Sequence, residues 1–493
     1  MASGSMASWY ESLVEEARLA ALTLLDRAED LASPTLRLGI TGLSRAGKTV
    51  FTTALVHALT RGGRLPVFEA MHEGRIARAV LEPQPDDAVP RFAYESHLDT
   101  LVLERRWPES TRRISELRLA IDYAPARGGR RTLTLDIVDY PGEWLLDLPL
   151  LDQSFADFAG TSLRLAREPA RQALAAPFLA ALAQVDPAAP AQEGEARRLA
   201  ALFTDYLAAC RAEEVAMSLL PPGRFLMPGD LEGSPALTFA PLDLPEGAEP
   251  PAGSLAAMMA RRFEAYRERI VRPFFRDHFA RLDRQIVLID VLSALNAGPA
   301  ALADLEAALD GILAAFRTGR NSWLGSLFRH RIDRVLFAAT KADHLHHTSH
   351  DRLEAILRRL VERALARASG AGAEIDVVAL AAVRATREAS VKRGRSELPA
   401  IIGVPEAGQY DADAFDGLAE AAVFPGDLPE HPGPLFDPGR GGFRGLTDAT
   451  GGDFRFLRFR PPLVERNAEG RALPLPHIRL DRALQFLLGD RLR

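Results

Sequence analysis

The chain has 493 residues, of which 47% are hydrophobic, and its formal net charge of -6 comes from charges of both signs. A chain of this length can bury substantial cores and, at roughly 150 residues per domain, suggests about three folding units. The mixed charge disfavours nucleic-acid binding, and the single cysteine excludes an intramolecular disulfide and a cysteine-rich zinc site. Since no run of about 18 uninterrupted apolar residues occurs, we expect a cytoplasmic protein without a transmembrane segment.

The N-terminal region predicts a helix. Residues 1–5 resemble an expression scar ahead of a start at Met6, and a capping box begins at Ser8. Apolar residues then recur at helical spacing up to residue 28, so we expect an amphipathic helix within residues 1–33. Packing on the chain's own core and attachment to a membrane surface are both compatible with this pattern.

Six short apolar runs predict β-strands at 36–41, 116–123, 132–140, 285–292, 334–340 and 375–382. Most of them alternate with helical stretches, which favours a mostly parallel α/β sheet covered on both faces. A Gly-Gly turn separates the second and third runs and predicts an antiparallel hairpin. We therefore expect five parallel strands and one reversed edge strand.

Changes in composition suggest the domain boundaries. The interval 151–283 has helical spacing on both sides of a Pro/Gly-rich loop and predicts a mainly helical insertion. The sheet domain would then be discontinuous, covering 34–150 and 284–400. Residues 401–493 predict a small C-terminal α+β appendage, with a strand at 454–462 and a closing helix at 481–489.

The stretch GLSRAGKT at 42–49 fits the phosphate-loop pattern G-x-x-x-x-G-K-[ST], between a predicted strand and a predicted helix. Backbone N–H groups and the positive end of the helix dipole would bind phosphate here. Lys48, one of only three lysines, would neutralise the β- and γ-phosphates during catalysis, and the Thr49 hydroxyl would bind Mg²⁺. The predicted nucleotide contacts are Gly42, Leu43, Ser44, Arg45, Ala46, Gly47, Lys48 and Thr49. The alternative is a glycine turn that only caps a helix.

The third strand ends in Asp139-Tyr140-Pro141-Gly142, which predicts a second phosphate-sensing segment. Asp139 would hold Mg²⁺, and Gly142 would donate its backbone N–H to the γ-phosphate. An ordinary strand-ending turn is the alternative. Glu143 follows Gly142, so it could position the attacking water in catalysis or cap the next helix instead.

Thr340-Lys341-Ala342-Asp343 follows another predicted strand and predicts a base-binding site. The Asp343 carboxylate could accept from both N1–H and the 2-amino group of guanine, a donor pair that adenine lacks. The Lys341 stem could lie over the base. This segment resembles the base-binding motif of P-loop GTPases, and the resemblance implies a backbone contact to guanine after the last strand, at Val383.

Two further residues could assist catalysis. Thr111, or its neighbour Ser110, lies before the reversed strand and could complete the Mg²⁺ coordination in the triphosphate state; a capped turn that leads into the strand is the alternative. Arg45 could stabilise charge on the phosphates, or simply point into solvent. A metal site among His344, His346, His347 and His350 is disfavoured, since no cysteine accompanies them.

These motifs together resemble the YcjX-like family of bacterial P-loop GTPases over most of residues 9–490. The resemblance is carried by GLSRAGKT, WPESTR, DYPGEW, RPFFRDHFARLDRQIVLIDVLSALNAG and TKADH. It implies a Ras-like P-loop NTPase domain with a helical insertion, GTP or GDP with Mg²⁺ as ligands, a link to stress response and an inner-membrane partner protein. We therefore expect a molecular switch with slow GTP hydrolysis, located in the cytoplasm or at the inner membrane.

One residue differs from the base-binding motif that P-loop GTPases usually have. Thr340 stands where the base-binding motif N-K-x-D usually has asparagine, and a hydroxyl makes only part of an amide's interactions. An ATPase therefore stays open, as does a nucleotide-sensing scaffold with little turnover. The sequence predicts no oligomeric state.

Overall fold

The computed structural model describes residues 34–493 except Ser44, Pro85, Arg127, Glu213, 245–249, 316–331, 363–364, 367–372, 394–395, 410–414, 437–455, Glu469 and Arg471. The predicted N-terminal helix lies outside the described residues. Within those residues, no helix combines the length and the apolar character needed to cross a membrane.

The central sheet has seven strands in the order β2-β3-β4-β1-β5-β6-β7. They are β1 (Thr35–Gly42), β2 (Ile76–Glu82), β3 (Ser115–Tyr123), β4 (Arg131–Asp139), β5 (Arg284–Ile289), β6 (Arg334–Ala339) and β7 (Glu374–Ala379). Strand β1 lies between β4 and β5 and is parallel to both, and β3 is antiparallel to both β2 and β4. The fold is therefore α/β with a mostly parallel central sheet.

All six predicted strands are present, but the predicted number of strands is wrong. Strand β2 pairs with β3, so the reversed strand β3 is not at the edge of the sheet. Only Ala79 is buried in β2, which leaves the strand without the apolar alternation that marks a half-buried strand.

Helices cover the sheet, and further helices form the interval that follows β4. They are α1 (Lys48–Arg61), α2 (Glu69–His72), α3 (Tyr94–Val102), α4 (Phe155–Ala166), α5 (Pro169–Leu182), α6 (Glu193–Arg211), α7 (Gly223–Leu226), α8 (Leu255–Tyr266), α9 (Arg272–Asp277), α10 (Val291–Ala297), α11 (Pro299–Ala315), α12 (His350–Leu360) and α13 (Leu480–Leu488). A π-helical segment, Arg267–Val271, joins α8 to α9. Short 3-10 helices occur at Gly142–Asp152, Gly229–Leu231, Pro235–Leu237, Phe279–Arg281, Ala342–His344, His347–Ser349 and Gly433–Leu435.

The two faces of the sheet belong to different apolar cores. On one face, side chains such as Ile40 and Leu336 pack with α1 and with α13, so the predicted closing helix covers the sheet itself. On the other face, Phe337 and its neighbours share a core with the helical interval after β4. In that interval Phe158 stacks on Phe263 with ring centroids 5.0 Å apart. Because this core is continuous, the helical interval packs against the same sheet that carries the phosphate loop.

The last part of the chain only partly follows its prediction. Strands β8 (Arg387–Arg393), β9 (Ser396–Gly403) and β10 (Ala421–Val423) form a small antiparallel sheet, and β9 spans residue 400. Within the described part of 454–462, the strand pairing is a single bridge between Pro405 and Phe459. The closing helix is present as α13. The predicted division into a sheet domain, a helical insertion and a C-terminal appendage stays a prediction.

Candidate nucleotide-binding site

The phosphate loop joins β1 at the centre of the sheet to α1. Arg45 (φ 61°) and Gly47 (φ 80°) both adopt left-handed backbone conformations. Such turns point successive N–H groups towards one concavity, and α1 begins directly after Gly47. Lys48 is 7% exposed, and its Nζ donates to the Gly42 carbonyl at 2.9 Å. The loop can therefore bind an anion with both backbone and side-chain donors.

The residues between Gly42 and Gly47 differ in their exposure. Leu43 and Ala46 are buried, Arg45 is exposed, and Ser44 lies outside the described residues. Leu43 and Arg45 also line a small cavity beside the loop.

Gly142 brings the second predicted phosphate-sensing segment directly onto this loop. A Cβ atom at Gly142 would overlap the Gly42 carbonyl and lie 3.1 Å from Lys48 Nζ. Two segments a hundred residues apart therefore meet at the same lysine, and only glycine permits the approach.

We expect Gly142→Ala to weaken binding of a non-hydrolysable GTP analogue by at least about tenfold, because one lost charge-assisted hydrogen bond has this magnitude. The added methyl group would push the Gly142 N–H away from the γ-phosphate, so GDP affinity should change less. Calorimetric titration with both nucleotides measures the difference. Gly160→Ala is the matched control, because a Cβ there meets no atom within 4 Å; equal losses for both nucleotides would contradict the prediction.

Three predicted Mg²⁺ ligands converge beside Lys48. Thr49 Oγ1 lies 3.2 Å from Thr111 Oγ1, and Thr111 donates to Asp139 Oδ2 at 2.6 Å. Ser110, the alternative to Thr111, is exposed. Asp139 is 1% exposed, and its Oδ1 atom has no hydrogen-bond partner among the described residues. An all-oxygen cluster with an unsatisfied buried carboxylate oxygen fits Mg²⁺.

The electrostatics of Asp139 fit the same ligand. Burial raises its pKa to about 6, although the Thr111 hydrogen bond and the Lys48 charge act in the opposite direction. Burial makes the negative charge of Asp139 unfavourable, and a divalent cation bound at its free oxygen would strongly stabilise that charge.

The predicted base-binding residues lie at the ends of β6 and β7. Asp343 is 3% exposed, and its Oδ2 accepts from the Ala385 N–H at 2.8 Å. The Thr340 hydroxyl donates to the Ile289 carbonyl at 3.3 Å and so is anchored to the neighbouring strand β5. Val383 is buried, and its predicted contact to guanine stays a prediction. The backbone group that holds Asp343 belongs to Ala385, which sequence analysis did not identify.

Asp290 is a second residue that sequence analysis missed. It directly follows β5, forms an ion pair with Lys341 Nζ, and accepts from the Ser293 N–H at 3.0 Å. Burial alone would raise the pKa of Asp290, but the Lys341 charge and the hydrogen bonds from Lys341 and Ser293 keep it below its ordinary value. The helix-capping pattern of an aspartate three residues before a serine was the available signal.

Glu143 links the second phosphate-sensing segment to the helical interval. Its side chain is 6% exposed, and Oε1 lies 3.4 Å from Nη1 of Arg211 at the end of α6. A Cβ atom at Gly223 would overlap the Glu143 carbonyl, so the backbones also touch. Arg211 carries no recognisable local motif, and sequence analysis did not identify it.

The residues that follow Glu143 are fixed by the same interval. Trp144 Nε1 donates to the Met227 carbonyl at 2.8 Å, and the Arg224 guanidinium lies 3.1 Å from the centroid of the Trp144 ring. Asp147 accepts from the Gly223 N–H at 2.7 Å and from the Tyr266 hydroxyl at 2.6 Å. A shift of this segment would therefore have to move the helical interval too.

The structure separates the four histidines. His344 and His350 are buried, whereas His346 and His347 lie nearer the surface, where His347 Nδ1 is 2.8 Å from Glu388 Oε2. Among the described residues, His346, His347 and Glu388 bring three possible ligand atoms within 4.8 Å of one another, and the buried His344 and His350 are not part of that group.

Comparison with known proteins identifies relatives of this chain. The sequence model of the YcjX-like family matches residues 36–492. A protein of Escherichia coli (strain K12) named Ras-like GTPase YcjX is 38% identical over 475 residues, covering 93% of this chain and 96% of the relative. A Shewanella oneidensis protein of the same name is 35% identical over 482 residues, covering 93% of this chain and 94% of the relative.

Proposed function

The chain belongs to the YcjX-like family, and we propose that it is a GTPase that binds GTP and Mg²⁺ at its phosphate loop. The names of both relatives support guanine-nucleotide hydrolysis. The reaction would convert GTP and water into GDP and inorganic phosphate. Lys48, together with backbone N–H groups from Gly42 to Thr49, would bind the β- and γ-phosphates.

The convergence of Thr49, Thr111 and Asp139 carries this proposal. These oxygens lie beside Lys48, and Asp139 Oδ1 is buried without a partner among the described residues. Bound Mg²⁺ would neutralise charge on the β- and γ-phosphate oxygens. The protein's own contribution is to hold the three oxygens in place before the ligand arrives, which reduces reorganisation during the reaction.

Asp343 would select guanine. Its Oδ2 is already held by the Ala385 N–H, so the carboxylate has a fixed orientation when the base enters. ATP lacks the N1–H and 2-amino donors of guanine, so Asp343 would make fewer hydrogen bonds with it, which is costly at a buried carboxylate. The Thr340 hydroxyl already donates to the Ile289 carbonyl, so it would distinguish GTP from ATP less strongly than an asparagine would. ATP hydrolysis is therefore the second candidate.

We expect Asp343→Asn to move nucleotide preference from GTP towards xanthosine triphosphate, because an amide can donate to the 2-oxo group of xanthine. The GTP affinity should fall by at least about tenfold, the usual cost of one broken hydrogen bond to a charged group. Calorimetry with GTP, ATP and xanthosine triphosphate in Mg²⁺ buffer measures the shift. Asp351→Asn is the matched control, since the Asp351 side chain is 86% exposed; unchanged preference in Asp343→Asn would count against guanine recognition.

Glu143 and Arg45 are the catalytic candidates identified from sequence. Glu143 follows Gly142 and would orient the attacking water, but its carboxylate also repels the γ-phosphate. This repulsion supports slow intrinsic hydrolysis and hence a switch with two long-lived nucleotide states. A connection to stress response and an inner-membrane partner protein rests on family resemblance alone.

A further inference from the structure

We propose that Arg211 is the catalytic arginine of this site, supplied by α6 to the γ-phosphate during hydrolysis. The inference rests on the GTPase function proposed above. It assigns the charge-stabilising role to a residue 163 positions after Lys48 in the chain, rather than to Arg45 within the phosphate loop.

A short series of contacts connects Arg211 to the phosphate-binding lysine. Arg211 Nη1 lies 3.4 Å from Glu143 Oε1, and Glu143 directly follows Gly142. The position that a Cβ of Gly142 would occupy is 3.1 Å from Lys48 Nζ. Glu143 and Gly142 therefore connect the guanidinium to the lysine that would bind the γ-phosphate.

Arg211 also shares a cavity with the phosphate loop. Leu43 and Arg45 from the loop, Asp290 at the end of β5, and Arg211 all line the same small space. The Arg211 side chain is 28% exposed, so the guanidinium can move within this space. Its fork of donors suits the oxygens of a phosphate group.

The pairing with Glu143 explains why an arginine is needed here. Without nucleotide, Arg211 offsets the charge of the almost fully buried Glu143 carboxylate. A separation of 3.4 Å is long for a charge-assisted hydrogen bond, so phosphate oxygens can compete for the guanidinium. Once Arg211 turns to the γ-phosphate, Glu143 is released to accept a hydrogen bond from the attacking water.

The balanced step follows from these positions. The water oxygen bonds to the γ-phosphorus while the bond from that phosphorus to the β–γ bridging oxygen breaks, giving GDP and inorganic phosphate. The water proton passes to Glu143 or to the departing phosphate, and Arg211 keeps its own protons because guanidinium is not deprotonated in proteins. Arg211 stabilises the charge on the transferring group and does not act as an acid.

The chain after Arg211 holds it close to the second phosphate-sensing segment. Gly223 donates its N–H to Asp147 and fits against the Glu143 carbonyl, where a side chain would overlap. Both Arg211 at the end of α6 and Gly223 at the start of α7 therefore contact Glu143.

Single-turnover hydrolysis of Mg²⁺–GTP by Arg211→Ala tests the proposal. We expect the rate to fall by about a thousandfold, as for removal of an arginine that contacts the transferred phosphoryl group. The affinities for GDP and for a non-hydrolysable GTP analogue should stay close to those of the unaltered chain. Binding of GDP with aluminium fluoride, which imitates the transferring phosphoryl group, should be lost. Arg211→Lys should restore part of the rate, and Arg197→Ala, an exposed arginine of the same helix paired with Glu193, should have no effect.

The same substitution in a Glu143→Ala background separates contact with phosphate from an action through Glu143. A further rate loss in the double variant supports direct contact, and no further loss would overturn it. Unchanged hydrolysis by Arg211→Ala, or an equal loss of GTP-analogue binding, would also overturn the proposal. If the unaltered chain failed to hydrolyse GTP at all, the GTPase proposal itself would be wrong, and this inference would fall with it.

Discussion

Lys48→Ala is expected to weaken GTP binding by about a hundredfold, since it removes a positively charged donor worth roughly 1.5–3 kcal/mol from the phosphate site. In the nucleotide-free protein Lys48 Nζ donates to the Gly42 carbonyl at 2.9 Å, so it is already directed into the loop. Its burial also means that solvent does not screen its interaction with phosphate. Calorimetric titration of Mg²⁺–GTP measures the loss.

Lys392→Ala is the matched control for this variant. Lys392 is exposed on β8, away from the phosphate loop, and its removal should leave GTP affinity unchanged. The loss of the hydrogen bond from the charged Lys48 to Gly42 should cost the nucleotide-free fold about 1.5–3 kcal/mol. GTP affinity that survives in Lys48→Ala would contradict the assignment of the loop as the phosphate site.

Asp139→Asn is expected to lower Mg²⁺-dependent GTP hydrolysis by about a thousandfold, because stabilisation of phosphoryl charge by a metal is worth several kcal/mol. An amide keeps the shape of the side chain but supplies no charge to the cation. The variant should still bind nucleotide without Mg²⁺, since Lys48 and the loop backbone are intact. Phosphate release measured across a Mg²⁺ titration tests this expectation, with the exposed Asp243→Asn as control.

Asp139 also predicts how Mg²⁺ binding depends on pH. The cation requires the carboxylate, so Mg²⁺ affinity should fall by about tenfold per pH unit below a pKa of about 6. In the Mg²⁺-free protein, the raised pKa of Asp139 increases the free energy of unfolding while its carboxyl group is protonated. This contribution is lost as the pH rises through about 6. Addition of Mg²⁺ should therefore raise the thermal midpoint more at pH 7.5 than at pH 5, and this difference should disappear in Asp139→Asn.

The parts of the fold that were predictable have local signals. The loop around Lys48 is contiguous in sequence, and the six predicted strands are apolar runs whose side chains are mostly buried. Strand β2 had no such signal, because its exposed position at the sheet edge leaves only Ala79 buried. In the described part of the strand predicted at 454–462, the pairing is limited to the bridge at Phe459.

In the candidate site, too, only residues with a local sequence signal were predictable. Thr49 and Asp139 could be named because each lies in a motif, and the structure then placed Thr111 rather than Ser110 between them. Arg211 and Asp290 reach the site only through tertiary packing. The distance along the chain from Glu143 to Arg211 gives no indication of their pairing, which depends on how α6 packs on the 3-10 segment after β4.

The most direct measurement is phosphate release by the unaltered chain from GTP and from ATP, each with Mg²⁺ and with chelator. We expect slow release from GTP that requires Mg²⁺, and markedly less release from ATP. Equal release from both nucleotides would contradict guanine selection by Asp343, and no Mg²⁺-dependent release from GTP would contradict a GTPase built on Lys48 and Asp139.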